Sequence, residues 1–145
     1  MLFVGTFDYA MDDRGRVPLP PKYRDAFRAG VLLVQGSPDR CIRVYTPDDF
    51  TKESAQYTAL STMQRKGRDL RRHWFSQAHD VQLDQQSRVL VPAPLREYAQ
   101  LDSRVTISGC GDWLEMWAPE LLRGDLDRID EVLEMTQESV GEWQR

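Results

Sequence analysis

Met11–Phe27, MDDRGRVPLPPKYRDAF, has a counterpart later in the chain at Leu83–Ala99, LDQQSRVLVPAPLREYA. Both stretches read Asp-x-x-x-Arg-Val-x-x-Pro-x-x-x-Arg, and they lie 72 residues apart. The match continues without a gap from residues 12–50 against residues 84–122, and its six identities fall on turn and helix-start positions while the apolar pattern stays in phase. Self-similarity at a fixed spacing is the signature of an internal repeat. The sequence therefore predicts one structural unit that is built twice.

Each copy of this unit has the local signals of four short strands and two helices. In the first copy, residues 2–9 carry aromatic and β-branched side chains in loose alternation, as a strand does, and Asp-Asp-Arg-Gly supplies the residues of a tight turn. Proline lacks the N–H that is unpaired at a helix start, so Pro21 predicts a short helix and Pro47 a longer one. Pro119 corresponds to Pro47 in the second copy.

The repeat divides the chain into four segments of a mixed α+β protein. We predict a first repeat at residues 1–50, a second repeat at residues 78–122, and two linking helices at residues 51–77 with a break near Gly67 or slightly before it. Residues 123–145 are predicted to form a C-terminal helix and tail, because their apolar side chains recur as on one helix face.

The bulk composition is typical of a soluble globular protein. The chain has 145 residues, 41% apolar and 29% charged, which suffices for one ordinary domain or two small domains that share a core. No apolar run approaches the roughly 20 residues of a membrane span. The N-terminus lacks a basic leader, so we predict a cytosolic protein without a membrane partner. Cys41 and Cys110 lack CxxC spacing and are predicted to be buried thiols.

Charge is distributed unevenly along the chain. Residues 1–110 carry a net charge of +3 and residues 111–145 carry −7, which gives −4 overall. The main body can therefore approach a polyanion, whereas the acidic C-terminal end has to point away from it.

A basic cluster lies at residues 65–72, within the stretch QRKGRDLRR of residues 64–72. On a helix these charges are predicted to form a solvated face. Two alternatives are a second nucleic-acid patch and a contact between subunits with the acidic C-terminal residues Glu131, Glu134 and Glu138.

The repeated turns carry the side chains that we predict to be functional. An Asp in a turn accepts N–H groups of the turn and pairs with an Arg four residues later, so Asp12 and Asp84 are predicted to brace their loops. Guanidinium groups match phosphate oxygens and the O6/N7 edge of guanine. Arg14 and Arg16 are therefore candidates to bind a partner that carries phosphate or guanine groups, and Gly15 between them is predicted to allow its close approach.

Three further cations follow on the short helices. Lys22 is predicted to add positive charge to the same candidate binding surface. Arg24 and its counterpart Arg96 are assigned to bracing the loops, with contact to a ligand as the alternative.

The second loop differs from the first at two positions. Gln86 stands where the first loop has Arg14, and Ser87 stands where it has Gly15. If that position requires a positive φ, Ser87 is strained by about 1 kcal/mol. The second loop, with Arg88, is therefore expected to contribute less than the first to binding an anionic partner.

The chain shows no signature of catalysis. His73 and His79 have no second His or Cys at ligand spacing, so we expect no metal. A P-loop, a GxGxxG stretch and a nucleophile elbow are absent from the sequence. Trp113 and Trp117 are predicted to lie in the core or a subunit interface. We predict a protein that is not an enzyme and uses neither a cofactor nor a small-molecule substrate.

Two stretches, GRVPLPPKYRDAF and SRVLVPAPLREYAQL, resemble the signature of the AbrB/SpoVT type of DNA-binding domain. The tandem arrangement, with FVGTF at the start, DDRGR in the first loop and DWLEMWA near the end, resembles the MraZ family of bacterial transcriptional regulators. The resemblance covers residues 1–122.

This resemblance implies a small β-barrel in which both repeats intertwine, with peripheral helices, and a ring-shaped homo-oligomer. It also implies a repressor that binds double-stranded DNA at tandem short repeats upstream of the family's cell-division and cell-wall operon, in the cytoplasm and at the nucleoid. Carried over residue by residue, the DNA-reading arginines are Arg14, Arg16 and Arg88. The alternative is a protein-binding assembly module or antitoxin-like module without direct DNA readout.

Overall fold

The computed structural model describes the backbone of residues 1–143 and the side chains of residues 1–136. The strands are β1 Thr6–Ala10, β2 Arg16–Pro18, β3 Val31–Gln35, β4 Ile42–Tyr45, β5 His79–Val81, β6 Arg88–Leu90, β7 Arg104–Gly109 and β8 Leu114–Trp117. The α-helices are α1 Pro47–Thr58, α2 Arg65–Ser76, α3 Ala93–Ala99 and α4 Pro119–Trp143, and a 3-10 helix spans Pro21–Phe27. The fold is mixed α+β, as predicted.

A six-stranded antiparallel sheet in the order β1-β7-β8-β4-β3-β5 forms the main layer. Counterpart strands of the two repeats occupy equivalent positions counted from opposite edges of this sheet: β1 and β5 are outermost, β7 and β3 come next, and β8 and β4 are central. β1 of the first repeat pairs with β7 of the second, and β5 of the second pairs with β3 of the first. The two repeats are therefore related by a pseudo-two-fold axis, and each completes the sheet of the other.

β2 and β6 form a separate antiparallel ribbon, one strand from each repeat. Val17 lies opposite Val89 at its centre, and both side chains are fully buried. They share one hydrophobic cluster with residues from the inner face of the sheet, including Val31, Leu33, Ile42, Val44, Val105, Ile107, Leu114 and Met116. The core thus lies between ribbon and sheet. Strand pairing within the described residues does not close into a ring, so the predicted β-barrel is not confirmed.

The outer face of the sheet is covered by α1 and α2. Val34 and Tyr45 point to this side and pack with Trp74 of α2 in a second hydrophobic cluster. The ring of Tyr57 stacks on Trp74 with 4.7 Å between centroids, and the indole Nε1 of Trp74 donates to Ser54 Oγ at 2.9 Å. Because Ser54 and Tyr57 belong to α1, this buried hydrogen bond and the ring stacking hold α2 against α1.

The ends of two elements can be compared with the sequence predictions. The first strand begins at Thr6 and not at residue 2, because Phe3 forms only an isolated bridge with Gly111. The break between the linking helices covers residues 59–64, so it lies shortly before Gly67, which is inside α2.

The cysteine prediction is right for one residue and wrong for the other. Cys41 is buried, and burial raises the pKa of its thiol. Cys110 is exposed because it lies in the turn between β7 and β8.

The C-terminal helix α4 begins against the body and then extends beyond it. Leu122 packs with Trp117 and Cys41 in a third hydrophobic cluster, which confirms Trp117 as a core residue. Trp113 packs against the second cluster. From Asp130 to Thr136 every residue of α4 is exposed. None of the described helices is long and apolar enough to cross a lipid bilayer.

Candidate nucleic-acid interface

Two equivalent loops lead into the strands of the ribbon: loop 1, residues 12–16, and loop 2, residues 84–88. In loop 1, Asp12 Oδ1 accepts hydrogen bonds from the backbone N–H groups of Arg14 and Arg16 at 3.0 and 2.9 Å. In loop 2, Asp84 Oδ1 accepts the N–H groups at the matching positions, 86 and 88, at 2.9 Å each. Each carboxylate therefore organises its own turn, and it does so with the same atoms in both repeats.

The same carboxylates also hold the arginine side chains. Arg16 Nε donates to Asp12 Oδ2 at 2.6 Å, and Arg88 Nε donates to Asp84 Oδ2 at 2.9 Å. Arg88 Nη1 lies a further 3.5 Å from Asp12 Oδ2, so Asp12 joins the two loops. The corresponding contact between Arg16 and Asp84 is absent among the described residues. The pseudo-symmetry is thus broken at the centre of the ribbon.

These hydrogen bonds keep both carboxyl groups ionised. The backbone N–H of Arg16, more than any other group, lowers the pKa of Asp12 to about 2. The backbone N–H of Arg88 lowers the pKa of Asp84 in the same way. Near neutral pH both loops therefore combine fixed negative charge at their base with arginines above it.

The position between the two loop arginines has a left-handed backbone in both repeats. Gly15 has φ +87, and Ser87 has φ 60. The condition under which Ser87 was expected to be strained is therefore met, since Ser87 occupies a conformation that L side chains rarely adopt. The backbones of the two loops are also joined, since the N–H of Val91 donates to the carbonyl of Gly15 at 2.9 Å and that of Leu19 donates to Ser87 at 3.4 Å.

Gly15 is buried, and its vacant side-chain position faces Arg96 of the other repeat. A Cβ built at Gly15 would lie 2.9 Å from Cζ and Nε of Arg96. The absence of a side chain at Gly15 thus leaves space for the guanidinium group of Arg96. Its predicted contact with DNA stays a prediction.

The two short-helix arginines occupy equivalent places but make different bonds. Arg24 Nε donates to the carbonyl of Leu19 at 3.1 Å. Arg96 Nε is buried and has no hydrogen-bond partner among the described residues. Arg96 therefore supports loop 1 by packing, whereas Arg24 fixes the end of its own strand. Both contacts lie within the protein.

The outward face of the ribbon presents the remaining candidates. Arg16 and Arg88 alternate along their strands with the buried Val17 and Val89, and so they lie on the opposite face from the core. Pro18 is half-buried, and Leu90, its counterpart, is 53% exposed beside the arginines. The exposed apolar side chain of Leu90 was not predicted. The sequence signal that could have found it is its register position, two residues after Arg88.

The loop tips differ in charge. Arg14 is exposed, and its side chain has no partner in the part of the chain that the structure describes. Gln86 is exposed at the matching position of loop 2. Lys22 is exposed on the 3-10 helix, with Nζ 5.0 Å from the ring centroid of Tyr23. Loop 1 therefore presents one more exposed cation than loop 2, although it also carries the exposed carboxylate of Asp13 where loop 2 has Gln85.

The basic cluster in α2 lies outside this surface, on the helix that covers the other side of the sheet. Arg68 Nη1 donates to the carbonyls of Thr62 and Met63, and Arg71 Nη1 donates to that of Tyr57. Within the described residues, no group of three His, Cys, Asp or Glu side chains is arranged to hold a metal ion. The side chain of Glu138, which was suggested as a partner of the basic cluster in α2, lies outside the described residues.

Comparison with known proteins places the chain among relatives of matching length. A family model described as "MraZ protein, putative antitoxin-like" matches residues 2–73 and 74–128. A protein of Micrococcus luteus named "Transcriptional regulator MraZ" is 36% identical over 139 residues, which cover 96% of this chain and 96% of the relative. Proteins of the same name from Nocardioides sp. and Dehalococcoides mccartyi are 39% and 36% identical over 119 residues, which cover 82% of this chain and 82% and 84% of the relatives.

Proposed function

Because the chain belongs to the MraZ family, we propose that it is a sequence-specific DNA-binding transcriptional regulator that acts as a repressor. Its partners are double-stranded DNA and further copies of itself in a ring. Its operator consists of tandem short repeats upstream of a cell-division and cell-wall operon, and it works in the cytoplasm at the nucleoid. The proposal assigns it no catalytic activity, cofactor or small-molecule substrate.

The observation that carries this proposal is the ribbon with its two related loops. A two-stranded β-ribbon fits the major groove of B-DNA, and arginine is the side chain that most often reads guanine there. Arg16 and Arg88 are held by carboxylates through Nε, and Arg14 stands exposed at the tip of loop 1. Guanidinium groups that are already positioned lose less side-chain entropy on binding. The loops therefore supply DNA contacts from an ordered platform.

The proposed architecture is a barrel of the AbrB/SpoVT type built from repeats at residues 1–50 and 78–122. Ribbon and sheet share a single hydrophobic core, which supports treating them as two walls of one barrel. The helices at residues 51–77 and 123–145 would then lie outside it.

Assembly into a ring explains how a chain with a net charge of −4 binds a polyanion. One subunit offers few positive contacts, so a single copy binds weakly. Several copies that present their loops on one side engage successive DNA repeats at high effective concentration. Because each neutralised phosphate releases counterions, affinity falls steeply as salt rises.

A titration of labelled upstream DNA by fluorescence anisotropy tests the proposal, with a scrambled duplex beside it and the particle mass measured on the same sample. Arg16→Ala is expected to weaken specific binding by about 1–3 kcal/mol, and Arg88→Ala by less. Arg28→Ala is the matched control, since Arg28 is exposed and its ion pair within the described residues is with Asp25 at the far end of the 3-10 helix.

Two results would count against this reading. Wild-type protein that binds both duplexes equally well would exclude sequence-specific recognition. Equal losses from Arg16→Ala and Arg88→Ala would reject the assignment of the stronger role to loop 1.

A second candidate is a protein-binding module, and it is favoured by the words "antitoxin-like" in the description of the matching family. In that case the loops contact a protein. Capture of a purified protein partner with little dependence on salt, together with no preference for the upstream duplex, would favour this candidate over DNA binding.

A further inference from the structure

The apolar stripe of α4 continues beyond the body of the protein. Leu122 is buried at its start, and Leu126 and Leu133 follow at helical spacing with 48% and 49% of their surface exposed. All residues from Asp130 to Thr136 are exposed, so the described part of the chain does not cover this stripe. An apolar stripe on a stable helix normally faces a partner.

An acidic ridge runs beside the stripe. Four carboxylates lie at i, i+3, i+4 and i+7, a spacing that places them on one face of α4: Asp127, Asp130, Glu131 and Glu134. Residues 127–136 contain a single cation, Arg128, whose guanidinium bonds Asp125 one turn earlier. Two copies of α4 would therefore repel each other along this ridge, which argues against pairing of α4 with α4.

The opposite pattern occurs on α2. Arg68, Arg71, Arg72 and Phe75 lie at the same i, i+3, i+4 and i+7 spacing. Phe75 is 38% exposed among these cations. The five cations of α2 share one carboxylate within the helix, Asp69. α2 thus offers excess positive charge next to an exposed apolar ring.

We propose that α4 of one copy docks on α2 of the next, with the acidic ridge on the arginines and the apolar stripe against Phe75. This inference rests on the proposed ring assembly and identifies the contact between neighbouring subunits of the ring. Because the two surfaces differ, the contact is head-to-tail, and repetition of a head-to-tail contact closes into a ring or extends as a filament. The same contact sequesters the acidic helix away from DNA.

The test uses two charge-reversed variants of the full chain. The first, Asp127→Arg, Asp130→Arg, Glu131→Arg and Glu134→Arg together, reverses all four charges of the acidic ridge. The second, Arg65→Glu, Lys66→Glu and Arg72→Glu together, leaves α2 with more carboxylates than cations. Arg68 and Arg71 stay unchanged because they bond the carbonyls of Thr62, Met63 and Tyr57 at the junction of α1 and α2. In a solution of one variant alone, α4 and α2 carry charge of the same sign, so these two helices of neighbouring copies repel each other. Each variant alone is therefore expected to have the mass of a single chain. An equimolar mixture pairs each reversed helix with a complementary one, so the assembly mass returns.

Glu97→Arg on α3 and Arg104→Glu on β7 are matched controls, because both side chains are exposed outside α2 and α4. They are expected to retain the wild-type mass. Leu133→Asp is an additional variant that leaves α2 unchanged. It places a charge in the apolar stripe of α4, so this substitution alone is expected to dissociate the assembly. Circular dichroism of every variant confirms that the helices are retained.

The outcomes separate this inference from the proposed function. Assemblies that persist in both reversed variants and in Leu133→Asp would overturn the α4–α2 contact, whatever the DNA result. Loss of DNA binding in the α2 variant at unchanged mass would also overturn it and make α2 a nucleic-acid surface. Restored mass in the mixture supports the contact even if wild-type protein ignores the upstream duplex, in which case the proposed function fails alone.

Discussion

Replacing Gly15 by alanine is expected to destabilise the protein, whereas replacing Ser87 by glycine is expected to stabilise it. Both residues hold a left-handed backbone, at φ +87 and φ 60. The left-handed conformation costs an L residue about 1–2 kcal/mol, and alanine regains about 0.4–1 kcal/mol by restricting the unfolded chain. The net loss for Gly15→Ala is therefore about 1 kcal/mol before any clash, and Ser87→Gly is expected to gain about 0.5–1 kcal/mol.

The clash at Gly15 can be measured separately. The new Cβ would lie 2.9 Å from the Arg96 guanidinium, which has to move. In a double-mutant cycle with Arg96→Ala, the cost of Gly15→Ala should fall, because contacting residues typically couple by about 0.5–3 kcal/mol. Ser87→Gly serves as the matched control, and its effect should not change in the Arg96→Ala background.

Urea unfolding of the wild-type protein, the three single variants and the two double variants, at one protein concentration and pH, provides the measurement. A fixed concentration is necessary because assembly adds to apparent stability. Gly15→Ala protein as stable as wild type would refute the account of this position. An equal cost of Gly15→Ala with and without Arg96 would show that the guanidinium does not limit the space.

Three further predictions concern the loops and the helix pair. Folding lowers the pKa of Asp12 to about 2, so the ionised carboxylate stabilises the folded state at pH values above the ordinary carboxyl pKa. This stabilisation is lost as the pH falls from about 4 towards 2. Asp12→Asn should therefore remove that part of the pH dependence of the unfolding free energy. Gln86→Arg restores the charge that Arg14 gives loop 1, so it should tighten DNA binding and increase the slope of log affinity against log salt by about 1; an unchanged slope in anisotropy titrations would place position 86 off the DNA. Trp74→Phe keeps the stacked ring but leaves Ser54 without its donor, and it should cost about 1–3 kcal/mol in the same unfolding assay; a neutral result would show that the hydrogen bond contributes nothing to the helix pair.

Local signals in the sequence were sufficient for much of the fold. The 72-residue repeat predicted two equivalent units, and the prolines at positions 47 and 119 marked the starts of α1 and α4. The substitution of Gly15 by Ser87 in the second copy correctly indicated a strained loop. These features succeed because turn and helix-start chemistry depends on a few neighbouring residues.

Long-range placement could not be read from the sequence in the same way. The packing of Arg96 beneath Gly15 and the salt bridge from Arg88 to Asp12 join residues that are 81 and 76 positions apart. Sequence reasoning assigned each aspartate to its own loop and predicted no contact between the two loops. Their unequal partners arise only when both repeats are packed together, since Asp12 accepts two arginines and Asp84 accepts one.

The exchange of β1 and β5 between the repeats has an evolutionary implication. Such reciprocal strand sharing is the arrangement that two identical half-chains would adopt in an interlocked dimer, and α1 and α2 then act as the covalent bridge between the halves. Identical halves have to inherit every substitution in duplicate. A fused chain is released from that requirement, so one tip can hold arginine while the other holds glutamine, and an asymmetric stretch of DNA becomes a feasible target.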